Sequence, residues 1–451
     1  MVIDRRSFTV GMATTAFAGL AGCARMGGMA ARSAAPSTAL VPDPAGLLDL
    51  PQGYSYRIIS RMGDRMDDGY VVGDRADGMG CFPGGNGRVI LVRNHELQAR
   101  HHDTGPFGTR AVPTSYDRSA DGRALPGGTS TMIYDLRSGR VEAQYQSLAG
   151  TIRNCAGGVT PWGSWLTCEE DVTRAGSGVS RDHGWVFEVP AAAGRLVDPV
   201  PLTAMGRFNH EAAAVDPATG IVYLTEDRSD SLFYRFLPDR PGRLAAGGRL
   251  QALALDGVDD SRNWSGAALP RGTSLPARWI DLTGVDSAQD DLRQRGHRAG
   301  ATLFARGEGV HFGNGEIYVC CTSGGAAKLG QIFRYRPSRA EGKPGERDAP
   351  GSLQNFVESD DPAMFNFGDN LTVAPNGDLV VCEDQYTDVV DNHLRGVSRD
   401  GTLYTIARCR LQTELAGACF SPDGSVLFVN LYSPAMTLAI SGPWAAPRRT
   451  G

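Results

Sequence analysis

Short apolar runs, each opened by a glycine, recur along the chain at wide intervals. Six can be laid in register: Gly87-Arg-Val-Ile-Leu-Val-Arg-Asn-His-Glu96, Gly163-Ser-Trp-Leu-Thr-Cys-Glu-Glu170, Gly220-Ile-Val-Tyr-Leu-Thr-Glu-Asp227, Gly315-Glu-Ile-Tyr-Val-Cys-Cys-Thr322, Gly377-Asp-Leu-Val-Val-Cys-Glu-Asp384 and Gly424-Ser-Val-Leu-Phe-Val-Asn-Leu431. Each joins a turn glycine to a β-branched and aromatic run, the pattern of a strand. Five are preceded by a second short segment, at 154–160, 210–215, 308–312, 370–374 and 416–420. Pro375-Asn376-Gly377 and Pro422-Asp423-Gly424 are hairpin turns, because Asn-Gly and Asp-Gly tolerate positive φ. With no helix-period stretch between them, six successive hairpins predict an all-β repeat fold. The glycines are spaced by 76, 57, 95, 62 and 47 residues, against the roughly 40–50 of compact propeller repeats. The surplus predicts loop insertions, around 98–126 and 238–300.

A six-bladed β-propeller satisfies this pattern better than a solenoid, which would spread equivalent positions along a line. The alternating stretch at 54–59 is expected to close the ring against 437–440. In a propeller the start of each innermost strand and the end of the next converge on one face of the channel. The convergent positions are Cys155, Glu211, Glu308 and Asp369 or Asn370 from strand starts. From strand ends come Glu96, Glu169 or Glu170, Glu226 or Asp227, and Glu383 or Asp384, with His95 and His210 beside two of them. So many carboxylates at one mouth raise each other's pKa unless a polyvalent cation compensates them. Oxygen ligands suit calcium; a thiolate and the histidines admit iron or another transition metal.

The first residues read as an address. Asp4-Arg5-Arg6-Ser7-Phe8 precedes an apolar stretch too short to span a bilayer, ending Leu20-Ala21-Gly22-Cys23. The arginine pair resembles a twin-arginine signal, and Leu-Ala-Gly-Cys a lipobox that would lipidate Cys23. The expected organisation is a signal at 1–22, a flexible Ala/Gly/Ser/Pro-rich tether at 23–50 and a propeller domain at 51–447. The protein is then expected to be a monomer, exported by the twin-arginine machinery to the periplasm or held at the envelope by its lipid. Composition fits a folded domain: of 451 residues 41% are hydrophobic and 21% charged, with 58 glycines. The formal charge of −5 offers no electrostatic reason to bind nucleic acid or an anionic membrane surface.

Asn154-Cys155-Ala-Gly-Gly-Val-Thr-Pro-Trp-Gly-Ser-Trp-Leu-Thr-Cys-Glu-Glu170 resembles the signature of the PhoX-type alkaline phosphatases, secreted bacterial enzymes. The resemblance continues through Arg93-Asn-His-Glu96, Gly206-Arg-Phe-Asn-His-Glu211, Tyr223-Leu-Thr-Glu-Asp227, Phe304-Ala-Arg-Gly-Glu308, Gly368-Asp-Asn-Leu371, Cys382-Glu-Asp384 and Phe420-Ser-Pro-Asp-Gly424, spanning about 51 to 444. It implies a twin-arginine-exported phosphomonoesterase on a six-bladed propeller that holds a ferric iron (Fe3+) and calcium (Ca2+) cluster. By that resemblance Cys155 is an iron ligand at the catalytic centre. Glu211, Glu308, Asp369 and Glu170 are further ligands, with Glu96 and Glu383 joining them from the strand ends. Arg306 clamps the phosphate, as guanidinium geometry allows.

Other chemistries find no support in the sequence. There is no Gly-x-Ser-x-Gly, no Gly-Lys-Ser/Thr, no Cys-x-x-Cys, and lysine occurs only at 328 and 343. Two competing readings of the same architecture are a calcium-dependent lactonase or esterase and a non-catalytic envelope lipoprotein. Cys155 argues against the first, since a soft ligand has no role in a calcium-only site. His101 and His102 are read as exposed, Trp162, Trp165 and Trp185 as packing, and Cys168, Cys320, Cys382 and Cys419 as buried thiols.

Overall fold

The computed structural model describes residues 39–445, so the signal at 1–22, Cys23 and the first part of the tether lie outside the described residues. The regular secondary structure of the described chain is almost wholly strand, and none of its helices is long and apolar enough to cross a membrane. Each of the six glycine-led runs is a strand, and each turn glycine has φ between +70° and +89°. Any other residue type there would meet the steric penalty of left-handed backbone. Six innermost strands, Ala76–Gly85, Asn154–Val159, His210–Val215, Gly307–Gly313, Gly368–Val373 and Leu415–Phe420, pack side by side in that order, the last against the first. Five of them were expected from their apolar pattern; the first, in the run Ala76-Asp-Gly-Met-Gly-Cys-Phe, was not.

The arrangement is propeller-like, but among the described residues the hydrogen-bonded sheets number five, not the expected six. Four are separate, with four, three, six and four strands, and one has nine. The reason lies in the 238–300 insertion. Its strand Ser274–Asp281 pairs with Gly248–Leu255 along one edge and, through Leu275 opposite Leu353, with Ser352–Glu358 along the other. Two edges that would have closed separate blades are thereby joined, leaving neither exposed.

Closure of the ring follows the expectation. Met436–Ser441 pairs antiparallel with Ser55–Arg61, knitting the C-terminal strand to an N-terminal one. Residues 40–41 and 48–50, expected to belong to the tether, are instead paired into a sheet. Leu40–Val41 pairs with Leu48–Pro51, which in turn pairs with Leu403–Cys409. The Asp43 carboxylate fastens the loop between them, accepting hydrogen bonds from the backbone of Ala45, Leu47 and Leu48 and from the Tyr56 hydroxyl.

Glycine and alanine crowd the innermost strands because their backbones nearly touch. A Cβ on Gly158 would lie 1.9 Å from the Ala213 carbonyl oxygen, and one on Gly309 2.7 Å from that of Asp369. Outside this tight hub the sheets bury Leu166, Val222, Leu224, Val319, Ile332 and Val381 completely. Cys168, Cys320, Cys382 and Cys419 are buried among them, and Trp165 and Trp185 pack as expected. His101 and His102 are half-buried, not exposed.

Candidate active site

Every innermost strand carries the same irregularity near its start. In the pair formed with the next strand, three steps on the inner strand match two on its partner: His210 faces Glu226 and Ala213 faces Leu224. Shifts of this kind occur at Ala76/Met79, Asn154/Gly157, Gly307/Val310, Gly368/Leu371 and Ala416/Cys419. Such a bulge inserts one residue and re-aims its side chain. The residues that follow the last pair before the shift are Asp77, Cys155, Glu211, Glu308 and Asp369, and in the sixth strand Gly417. Five bulges thus present four carboxyl groups and a thiol where the strands converge.

The resulting cavity, about 270 Å³, is lined by eight carboxylates, the Cys155 thiol, three arginines, two tyrosines and Gln98. Within it the ligand atoms of Glu96, Cys155 and Glu170 lie within 4.8 Å of one another. A second group, Glu211, Glu308 and Asp369, is equally close. The expected residues Cys155, Glu170, Glu211, Glu308, Asp369, Glu96 and Arg306 are therefore all brought together.

Glu383 is not. It ends its strand turned into its own sheet, where its carboxylate accepts from Arg395 Nε at 2.8 Å, the His393 backbone at 3.0 Å and the Asn366 backbone at 2.9 Å. Asp384, the next residue, lines the cavity instead. The same division holds in two other hairpins. Glu169 is bound by His183 and Glu226 by Tyr234 and Arg293, while Glu170 and Asp227 face the cavity. His95 and His210 stand at strand ends and starts but do not line it. His95 contacts the Asp74 carbonyl oxygen and the Ser130 hydroxyl, and His210 stacks on Phe208. Burial pushes both imidazoles down to about 3, for His95 with help from Arg93.

Eight lining carboxylates against Arg75, Arg153 and Arg306 leave a large negative excess, to which buried Glu211 adds. Burial, reinforced by neighbouring carboxylates, raises the carboxyls of Asp77, Glu170, Glu211, Glu308, Asp369 and Glu414 well above their ordinary range, and the Cys155 thiol with them. Among the described residues neither carboxylate oxygen of Glu211 has a hydrogen-bond partner, and neither does Asp77 Oδ1. Buried acceptors left unpaired cost free energy that a bound cation recovers. The donor set of clustered carboxylate oxygens with one thiol fits polyvalent cations, hard ones at Glu211, Glu308 and Asp369 and a softer one beside Cys155.

Arg306 is anchored by Asp227, its Nε donating to Oδ1 at 2.7 Å and its Nη2 to Oδ2 at 3.0 Å. Nη2 also meets Glu308 Oε1 at 2.9 Å and the Tyr386 hydroxyl at 3.0 Å, and the guanidinium lies over the Tyr386 ring. The carboxylates of Glu308 and Asp227 outweigh the burial of this arginine and hold its charge.

A family model for alkaline phosphatase PhoX matches residues 36–140 and 135–435. The chain belongs to the PhoX alkaline phosphatase family. Among solved structures it is similar to Pseudomonas fluorescens PhoX in complex with vanadate, a transition state analogue, at 20% identity and a TM-score of 0.68, covering 91% of this chain and 97% of that one. It is also similar to XC5397 of Xanthomonas campestris, a gluconolactonase, at 13% identity and a TM-score of 0.41 over 91% and 99% of the two chains. No curated protein matches. The PhoX likeness extends over the ring of inner strands that builds the cavity.

Several residues of this PhoX site escape a reading of the sequence. Asp77 sits in a glycine-rich run without alternation, yet it occupies the position of Cys155 and Glu211 once Gly87 sets the register. Arg75, Arg153, Glu414, Tyr386 and Tyr432 come from loops that precede or follow the strands and line the cavity with it. Arg153, Tyr386, Glu414 and Tyr432 all lie within two residues of segments recognised in the sequence, but nothing in their residue types marks them as facing the channel.

Proposed function

We propose that the chain is a metal-dependent phosphomonoesterase acting at the mouth of its central channel, with iron beside Cys155 and calcium among the remaining carboxylates. The observation that supports this best is Glu211: a fully buried carboxyl with both oxygens unpartnered among the described residues, grouped with Glu308 and Asp369, two of the eight carboxylates that line the cavity. Bound cations there supply Lewis-acid polarisation of phosphoryl oxygens and lower the pKa of water. Cys155, Glu96 and Glu170 would hold one group of ions, and Glu211, Glu308 and Asp369 another.

The chain's own residues do the rest. Arg306, held on its Nε–Nη2 edge by Asp227 and Glu308, keeps Nη1 available to donate to a phosphoryl oxygen and to offset charge that develops there. Tyr386 backs the guanidinium and sets its plane. In the overall reaction the bond from phosphorus to the alcohol oxygen breaks as one to a water oxygen forms, and the water's proton ends on the alcohol. Beyond the carboxylates the channel is walled largely by small residues, among them Gly78, Ala156, Gly157, Ala212 and Gly309. Folding before twin-arginine export accounts for how such a site is loaded, and lipidation at Cys23 for its retention at the envelope.

The test is turnover of an aryl phosphate and of a lactone, with and without a chelator, with iron and calcium quantified in the same sample. Chelator-sensitive phosphate release with iron bound is the expected result. A Cys155→Ala protein that keeps full metal content and full phosphatase activity overturns the assignment, and lactone turnover alone moves it to the lactonase class.

A further inference from the structure

Arg306 is not alone in its backbone position. Three arginines occupy the residue immediately before an innermost strand, and all three have left-handed φ: Arg75 at +54°, Arg153 at +46° and Arg306 at +52°. Positive φ is uncommon for a side chain of this size, costs about 1 kcal/mol or more and clusters at functional sites. All three line the carboxylate cavity.

Arg153 repeats the arrangement of Arg306 in detail. Its Nε donates to Glu96 Oε1 at 2.7 Å and its Nη2 to Glu170 Oε2 at 2.5 Å. Both arginines are therefore pinned along the Nε–Nη2 edge by carboxylates of the cavity wall, and neither Nη1 has a partner among the described residues. Their side chains are similarly accessible, at 28% and 23%. Glu170 and Glu96 outweigh the burial of Arg153 and hold it charged. Arg75 differs: its Nη1 is already used on the Tyr432 hydroxyl at 2.7 Å, and its guanidinium lies against that ring.

We propose that Arg153 is a second phosphoryl-binding guanidinium, so that this chain grips the phosphoryl group from the second and the fourth of its six inner strands. The inference rests on the phosphomonoesterase reading and deepens it. The cavity, about 270 Å³, falls just below the roughly 300–1,000 Å³ usual for small-molecule pockets. Arg153 and Arg306 both line it, so a tetrahedral dianion bound there would take hydrogen bonds from both free Nη1 groups. Each offers two N–H donors, and two guanidinium groups match the charge of the dianion before and after transfer. The carboxylates that pin Arg153 are themselves candidate metal ligands, which ties anion and cation binding to one frame.

The experiment compares wild type, Arg153→Gln, Arg153→Lys, Arg306→Gln and the double Gln variant, each as the metal-loaded chain. It measures kcat/KM for an aryl phosphate, inhibition by orthophosphate and metal content. Arg153→Gln is expected to lower kcat/KM by about 10- to 100-fold and to weaken orthophosphate by about 10-fold with metal content unchanged. Arg153→Lys restores part of the phosphate affinity but not the rate, since a point charge lacks the planar fork. The double variant loses less than the product of the single losses, because both groups hold one ligand. Unchanged orthophosphate inhibition in Arg153→Gln overturns the proposal. So does a loss of activity that follows loss of metal, which would make Arg153 a brace for Glu96 and Glu170. A metal-loaded wild type that turns over no phosphomonoester sinks the functional reading instead, and calorimetric binding of orthophosphate to wild type and Arg153→Gln still decides the role of Arg153.

Discussion

Glu383 and Asp384 are neighbours in sequence and carry the same charge, yet they belong to different worlds. Glu383 is fully buried and bonded to Arg395, His393 and two backbone amides; Asp384 faces a cavity crowded with other carboxylates. The contrast recurs at Glu169 and Glu170 and at Glu226 and Asp227. Successive residues of a strand point to opposite sides, so one acid of each pair is satisfied by its own sheet and the other is spent on the channel. The first kind is held within its own sheet, and the second faces the cavity.

The largest expected effect comes from the channel side. Glu211→Gln should abolish metal-dependent phosphatase activity, a loss beyond the roughly 100-fold typical of residues that merely orient a ligand. It should leave the metal-free fold nearly as stable as before, because burial already favours the uncharged form of this carboxyl. Metal analysis and thermal melting of the same preparation check both halves, and a strongly destabilised metal-free variant would break the distinction.

Glu383→Ala should do the reverse. Removing one partner of a buried ion pair strands the Arg395 guanidinium and costs about 3–5 kcal/mol of stability, read by denaturant unfolding, while metal bound per folded chain stays unchanged. Asp384→Asn is its control, lowering metal content or activity with little change in stability.

A smaller effect sharpens the sheet side through pH. His183 is buried between Glu169, 2.7 Å from Nδ1, and Asp117, 3.2 Å from Nε2. Burial alone would lower its pKa, but the two carboxylates outweigh it and raise it from 6.5 to about 8. A folded-state value above the unfolded one means stability that is complete below about pH 6.5 and fades as pH rises through about 8, worth about 2 kcal/mol. Melting temperature should therefore fall across that window in wild type and stay flatter in His183→Gln.

The glycine register made much of the fold legible, because a left-handed turn admits few residues and a strand needs alternation or a long apolar run. It located five inner strands, all six partners and the closing strand. It missed the strand Ala76–Gly85, whose glycines hide the alternation, and the bridging strand Ser274–Asp281, whose pairing with Ser352–Glu358 sets Leu275 opposite Leu353, far along the chain. At the site, Cys155, Glu211, Glu308 and Asp369 were readable as strand starts. Choosing Glu383 over Asp384 was not decidable locally, since either acid fits the end of an apolar run.

By itself the sequence determined the all-β repeat, the six turns, the excess of acid at strand ends and the resemblance to PhoX, for these depend on residue types at short spacings. Tertiary structure alone decided which acid of each pair reaches the channel, that two blades share one sheet, and that Arg153 stands in the same register as Arg306. The shared sheet depends on the bridging strand Ser274–Asp281, the choice within each acid pair on strand alternation, and the aim of the inner-strand side chains on a one-residue bulge repeated in six strands. A bulge is a property of paired backbones, and it becomes visible only when the strands meet.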